Sequence, residues 1–132
     1  MPLIATDTFR LSHVLKHEYE PQLAYCREAV VANEAAARTY APGTVLGRVT
    51  ATGKFRICVQ NAADGSQTPA AIVMEDKSVP ATTDTRVLVL VRGPAMVSKS
   101  GLILDASFDL LAEQQAAWAA IEALGIRVQD AV

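Results

Sequence analysis

Pro42-Gly43-Thr44-Val45-Leu46-Gly47-Arg48-Val49-Thr50-Ala51-Thr52-Gly53-Lys54-Phe55-Arg56-Ile57-Cys58-Val59-Gln60 decides the fold class. Ala41-Pro42-Gly43 is a turn, Thr44 to Thr50 reads as a strand, and Ala51-Thr52-Gly53 turns the chain again. The next segment alternates, with Phe55, Ile57 and Val59 on one face and Lys54, Arg56, Cys58 and Gln60 on the other, as a half-buried strand does. The two strands should form a hairpin, with Gly47 marking a bulge or a close backbone approach.

The signals downstream stay β-rich. Asn61 to Ser66 is a polar loop turned by Asp64-Gly65, and Ala70 to Met74 is a short apolar strand. Glu75 to Asp84 reads as a loop containing Pro80. Arg86-Val87-Leu88-Val89-Leu90-Val91-Arg92 reads as a strand buried on both faces, suited to the middle of a sheet or barrel. Gly93-Pro94 breaks it, and Ala95 to Val97 resumes. One helix is predicted, with Asp109 as N-cap, Leu111, Trp118, Ile121 and Leu124 along one face, and Gly125 as the left-handed residue that ends it. Ile126 to Val128 adds a final strand. The expected class is mainly β with one C-terminal helix.

The 132 residues are the size of one domain, long enough to bury about two thirds of the surface an unfolded chain exposes. The composition is 51% hydrophobic, with 23 alanines but only 7 aromatic residues, so the core is expected to be broad and small-sided. Twelve basic against fourteen acidic residues, with no Lys/Arg run, argue against a sequence-independent grip on nucleic acid and against an anionic membrane surface. The apolar runs, Val87 to Val91 among them, fall far short of the roughly 20 residues that span a bilayer. No signal-peptide pattern is visible, so synthesis in a cytoplasm is expected.

Residues 1–25 differ from the rest. Phe9, Leu11, Leu15, Tyr19 and Tyr25 are scattered among charges, with Pro2 and Pro21 and no sustained period. The segment reads as an N-terminal arm attached to a body of residues 26–132. A short helix over Leu11 to Tyr19 fits the spacing of Leu11, Val14, Leu15 and Glu18. Fully extended, 25 residues reach roughly 80 Å, well beyond a domain whose radius of gyration is about 14 Å.

The side chains carry little chemistry. His13 and His17, four apart, could share a metal with Glu20, but Val14 stands where a metalloprotease helix needs glutamate, and two solvated histidines are the simpler reading. Cys26 and Cys58 are far apart and form no CxxC, which reads as two free thiols. Cys58, on the polar face beside Arg56, could carry a lowered thiolate pKa, yet no histidine in the body can serve as its base, so packing or partial exposure is the simpler reading. No Gly-rich phosphate loop or nucleophile elbow is present. The pairs Glu75-Asp76 and Asp105 with Asp109 suit a loop and a helix start. Arg86 and Arg92, on one side of the buried strand, reach water at its ends. The expectation is a non-enzymatic protein without metal or cofactor.

Five segments in register carry a family resemblance. They are Pro42 to Thr50, Gly53-Lys54-Phe55, Ala62-Ala63-Asp64-Gly65-Ser66-Gln67, Val91-Arg92-Gly93-Pro94-Ala95, and Leu124-Gly125-Ile126-Arg127-Val128. Upstream, Leu15-Lys16-His17-Glu18 and Arg27-Glu28-Ala29-Val30 fit the same order. The chain from about Leu11 to Val128 thus resembles the lambda-type bacteriophage head decoration proteins. Where that family has a loop, Asn33 to Tyr40 has helix-forming content, so a helical turn or a polar excursion is expected there.

The resemblance implies a β-clip-like domain that assembles as a homotrimer on the outer surface of an expanded head, cementing the shell against the pressure of packaged DNA. Its partners would be the major capsid protein and two further copies of itself, with no nucleic acid, membrane or cofactor. The arm would add a strand to a capsid-protein sheet edge, anchored by Phe9, Leu11, Leu15 and Tyr19. Rival readings are another phage head or tail morphogenesis component and a small-molecule-binding β module, with an enzyme dependent on Cys58 last.

Overall fold

The computed structural model describes residues 14–23 and 25–129. The strands are β1 (Leu15–Glu18), β2 (Arg27–Ala32), β3 (Arg38–Tyr40), β4 (Val45–Arg48), β5 (Phe55–Ile57), β6 (Pro69–Val73), β7 (Lys77–Val79), β8 (Thr85–Leu90), β9 (Ala95–Ser98) and β10 (Ile126–Gln129). Helix α1 spans Leu111–Glu122. Among the described residues the fold is mainly β with a single α-helix near the C-terminus, as the sequence predicts.

Five strands close into a barrel in the order β2-β5-β4-β6-β8. The predicted hairpin is its β4–β5 pair, in register Leu46↔Ile57 and Arg48↔Phe55. Gly47 does both things expected of it. The β4–β6 register slips between Leu46 and Gly47, and a Cβ on Gly47 would sit 2.0 Å from the Ser66 carbonyl oxygen. Closure is uneven, because β2 pairs with β8 over six residues but meets β5 only at Ala32↔Phe55.

Strand alternation creates two cores. Leu46, Ala71, Val73, Val87 and Val89 fill the barrel with Ala32, Tyr40 and Val79. Their neighbours Val45, Ile72 and Leu90 point outward into a second cluster with Val14, Cys26, Cys58, Val97, Phe108, Ala117, Ile121 and Ile126. This is why β8 is apolar at successive positions: one face lines the barrel and the other lies under α1 and a three-stranded sheet of order β1-β9-β10.

Several sequence expectations change. Leu15 to Glu18 is a strand antiparallel to β9, not part of a helix, and residues 11–13 of the expected helix lie outside the described residues. Of the two forms expected for Asn33 to Tyr40, the helical turn is not adopted: Glu34 bridges Ala81, the chain bends at Ala35 and Ala36, and β3 follows. The expected 75–84 loop contains β7, which pairs with β3 as a ribbon carrying Tyr40 and Val79 into the barrel end. The helix N-cap is Leu110, one residue past Asp109, with the Leu110 amide donating to Glu113 Oε1 at 3.2 Å. Leu111 is exposed, and the buried face is Ala117 with Ile121. Gly125 supplies the left-handed residue at φ 90°.

Candidate capsid-binding surface

The foot of the N-terminal segment is built into the body. Val14 is fully buried and packs against Gly43, whose hypothetical Cβ would lie 2.8 Å from the valine Cγ2. Leu15 is partly buried against the outer core, while Lys16 and His17 are exposed. Strand β1 then runs along β9 with Leu15↔Val97 and Glu18↔Ala95. On the other side of β9, β10 runs parallel with Val128↔Val97. The described chain therefore begins and ends at one end of this sheet, its two outer strands about 10 Å apart across β9.

Glu18 locks β1 to the barrel. Its carboxylate is almost fully buried and accepts Arg27 Nε at 3.0 Å on both oxygens, with a further bond from Arg27 Nη2. After it, the Tyr19 amide donates to the Pro94 carbonyl at 2.8 Å. The Tyr19 ring meets Tyr25 edge-on, with centroids 5.5 Å apart, and the Arg92 guanidinium lies 6.0 Å from the Tyr25 centroid. Arg92 also donates to the Tyr25 carbonyl at 2.6 Å and to Glu28 at 3.2 Å. Tyr19, Leu23 and Tyr25 are all well exposed.

Of the four anchor residues expected from the sequence, Phe9 and Leu11 lie outside the described residues. Leu15 contributes to the body's own core, and Tyr19 sits on the surface at the far end of β1. Sequence reasoning missed the Glu18–Arg27 pair. The one signal was an acid in the region read as arm and a base just beyond it, which becomes informative only once β1 and β2 are placed together.

Residues considered for chemistry take structural roles. Glu75 Oε2 accepts the Leu88 amide at 2.8 Å, and Asp105 Oδ2 accepts that of Ser107 at 3.1 Å. Glu20 accepts from Gln22 at 2.7 Å, and His13 lies outside the described residues. Among the described residues no three His, Cys, Asp or Glu side chains cluster as a metal site would require. No helix among them is long and apolar enough to cross a membrane.

Cys58 takes the packing role of the simpler reading, although the strand alternation assigned it to the polar face. It is fully buried in the outer core rather than facing solvent, and burial, helped by the charge of Asp105, pushes its thiol up from 9.0 to about 12. Tyr40 is raised too, by burial first and then by its hydrogen bond to Glu34. For both groups the folded state holds the proton more tightly than the unfolded state. Stability is therefore unaffected below pH 9 and should fall by about 1.4 kcal/mol per pH unit per group above its ordinary pKa. The decline begins near pH 9 with Cys58 and steepens near pH 10, where Tyr40 joins. Urea midpoints from pH 7 to 11 check this, and Cys58→Ala should remove the first part of the decline. At pH 8 Cys58 should react with a thiol reagent only on unfolding.

The described residues thus form a small barrel with an outer core, an N-terminal strand held against it and an exposed aromatic surface. The family model of the bacteriophage lambda head decoration protein D matches residues 4–126. The chain belongs to that family, and its role is accordingly decoration of a phage head as a structural component of the virion. No curated protein matches it.

Proposed function

We propose that the protein binds the outer surface of the expanded head as a homotrimer. In this reading the residues upstream of Val14 add a strand to a sheet edge of the major capsid protein, with Phe9 and Leu11 as anchors. The observation that carries it is the clamped foot of that segment. Burial of Val14, pairing of β1 with β9 and the Glu18–Arg27 ion pair make a mount that passes a pull on residues 1–13 into the body. Backbone hydrogen bonds along an added strand supply affinity, and alternate side chains fix its register. Three such segments on one trimer bind at high effective concentration, so weak single contacts sum to firm attachment. Capsid subunits bridged in this way resist separation under the pressure of packaged DNA. The body, from β1 through β10, is the rigid part of the cement.

Co-sedimentation with expanded, undecorated heads tests this, using the full chain and one lacking residues 1–13. The deletion stops short of Val14 because β1 belongs to the body's sheet. Saturable binding by the full chain, reduced at least a hundredfold by the deletion, is the expected result. Undiminished binding by the truncated chain would place the contact on the body, and absence of binding by both would overturn the reading.

A further inference from the structure

The two ends of the barrel are finished differently. The β3–β7 ribbon closes one end with Tyr40 and Val79. At the other, Val30, Phe55 and Val91 are only partly buried against the inner core, and with Ala70 they floor a slot of about 640 Å³. The slot opens because β2 and β5 meet only at Ala32↔Phe55, and upstream of that pair the chain before β5 turns away at Thr52-Gly53.

One wall of the slot is an unpaired strand edge. The Val91 amide donates to the Cys26 carbonyl at 2.9 Å, so antiparallel alternation aims the backbone groups of Glu28, Val30 and Ala32 at β8. The same alternation turns the N–H and C=O of Ala29 and the N–H of Val31 the other way, into the slot. The Asn33 amide reaches the Phe55 carbonyl at 2.9 Å, but among the described residues nothing pairs with Ala29 or the Val31 amide on this side. Ala29 is exposed and Val31 half-buried.

The charges around the rim are paired except one. Lys54 Nζ lies 3.0 Å from Asp84, and Arg92 Nη2 lies 3.2 Å from Glu28. Arg48 has no acidic partner among the described residues. It stands two residues after the core residue Leu46 on β4, hence on the same face, and a Cβ on Gly53 would lie 3.2 Å from its Nη2. The guanidinium is thus held at the slot beside the turn. The lining holds Arg48, Lys54 and Arg92 against Glu28 and Asp84, so the excess charge is that of Arg48.

We propose that this slot docks an extended segment of a second protein, one that carries a carboxylate two residues from an apolar side chain. The segment pairs with the Ala29–Val31 edge of β2, its apolar side chain fills the barrel mouth over Val30, Phe55 and Val91, and its carboxylate pairs with Arg48. An unpaired edge selects a strand, because backbone groups at strand spacing satisfy it. The unpaired guanidinium selects an acid through a charge-assisted hydrogen bond. In a strand, residues two apart share a face at a spacing of about 7 Å, so both side chains enter the slot together. The site is built from the body alone and requires neither residues 1–13 nor a trimer.

The probe is a capped peptide of seven residues, alternating threonine and valine, with aspartate replacing the central valine; a control peptide has lysine there. Each is titrated into the isotope-labelled full chain and followed by amide chemical shifts. Saturable shifts centred on Ala29, Val31 and Gly53 are expected, with the lysine peptide weaker by about tenfold or more. Arg48→Glu should reverse that preference. Ala29→Pro removes a donor from the open edge and spares the β2–β8 ladder, so it should weaken binding by about tenfold or more at an unchanged urea midpoint. Should Ala29→Pro unfold the chain, Arg48→Glu, at an exposed position, decides alone. Absence of shifts, or shifts centred elsewhere, overturns the site. Equal binding of the two peptides overturns recognition by Arg48. Binding that appears only after removal of residues 1–13 assigns the slot to the chain's own N-terminal segment and overturns the docking of a partner. Co-sedimentation with heads judges decoration separately.

Discussion

Glu34→Ala should cost about 3–5 kcal/mol, a large part of the 5–15 kcal/mol that holds a domain of this size folded. The reason lies at the barrel end. Glu34 is 3% exposed, accepts the Ile57 amide at 2.7 Å and takes a second bond from the Tyr40 hydroxyl. Its own carbonyl accepts the Thr82 amide at 2.7 Å, holding the segment after β2 against the β7–β8 connection. Removing the carboxylate orphans a buried amide and a buried hydroxyl together, each worth about 1–3 kcal/mol when unpaired. The Arg38 guanidinium, 3.9 Å away and largely exposed, can hydrate and adds little. Tyr40→Phe removes one of the two donors and should cost less. The double variant should cost less than the sum of the singles, because both act on one network. Urea midpoints at unchanged slope measure all three. A loss below 1 kcal/mol for Glu34→Ala would mean that water reaches Tyr40 and Ile57, and that the β3–β7 ribbon does not seal the barrel.

The contrast between Glu34 and the β4–β5 hairpin shows what a local reading can reach. The hairpin strand from Phe55 to Ile57 and the doubly apolar run of β8 are imposed by neighbours along the chain, and they survive in the structure. Glu34 stands in Asn33-Glu34-Ala35-Ala36-Ala37, which reads as helix-forming or polar, because its partners Tyr40 and Ile57 come from β3 and β5. The three-residue strands Arg38–Tyr40 and Lys77–Val79 are too short for a period to be visible, and they form because each supplies the other's edge. Cys58 deceived for a related reason. Its alternation placed it with Arg56 and Gln60, but the regular strand ends at Ile57 and the outer core covers the next residue.

The candidate surface was legible only as a difference in texture between residues 1–25 and the rest. Spacing of Val14, Leu15 and Glu18 suits a helix and a strand almost equally over so few residues. The open edge of β9 and the guanidinium of Arg27 decide for the strand. The exposed tyrosines look in the sequence like scattered aromatics. Only the fold shows Tyr19 and Tyr25 edge to face, with Arg92 brought in from 67 residues away.

The Glu18–Arg27 pair carries the prediction that joins stability to function. Glu18→Ala should destabilise the body by about 2–4 kcal/mol, toward the lower end for breaking a buried ion pair, because the Arg27 side chain is 25% exposed and can reach water. Loss should begin locally, with β1 undocking from β9, so amide exchange at Tyr19, whose N–H bonds Pro94, accelerates more than exchange in β8. At a temperature where the barrel remains folded, head binding should fall at least tenfold although residues 1–13 are untouched, because the mount has loosened. Replacing both partners by apolar residues of similar size, Glu18→Leu with Arg27→Met, leaves no charge stranded and should restore both stability and binding. Restored stability without restored binding would separate the mount from the attachment and assign the charged pair a direct contact with the shell. Unchanged binding by Glu18→Ala, despite accelerated exchange in β1, would show that no tension passes through this strand.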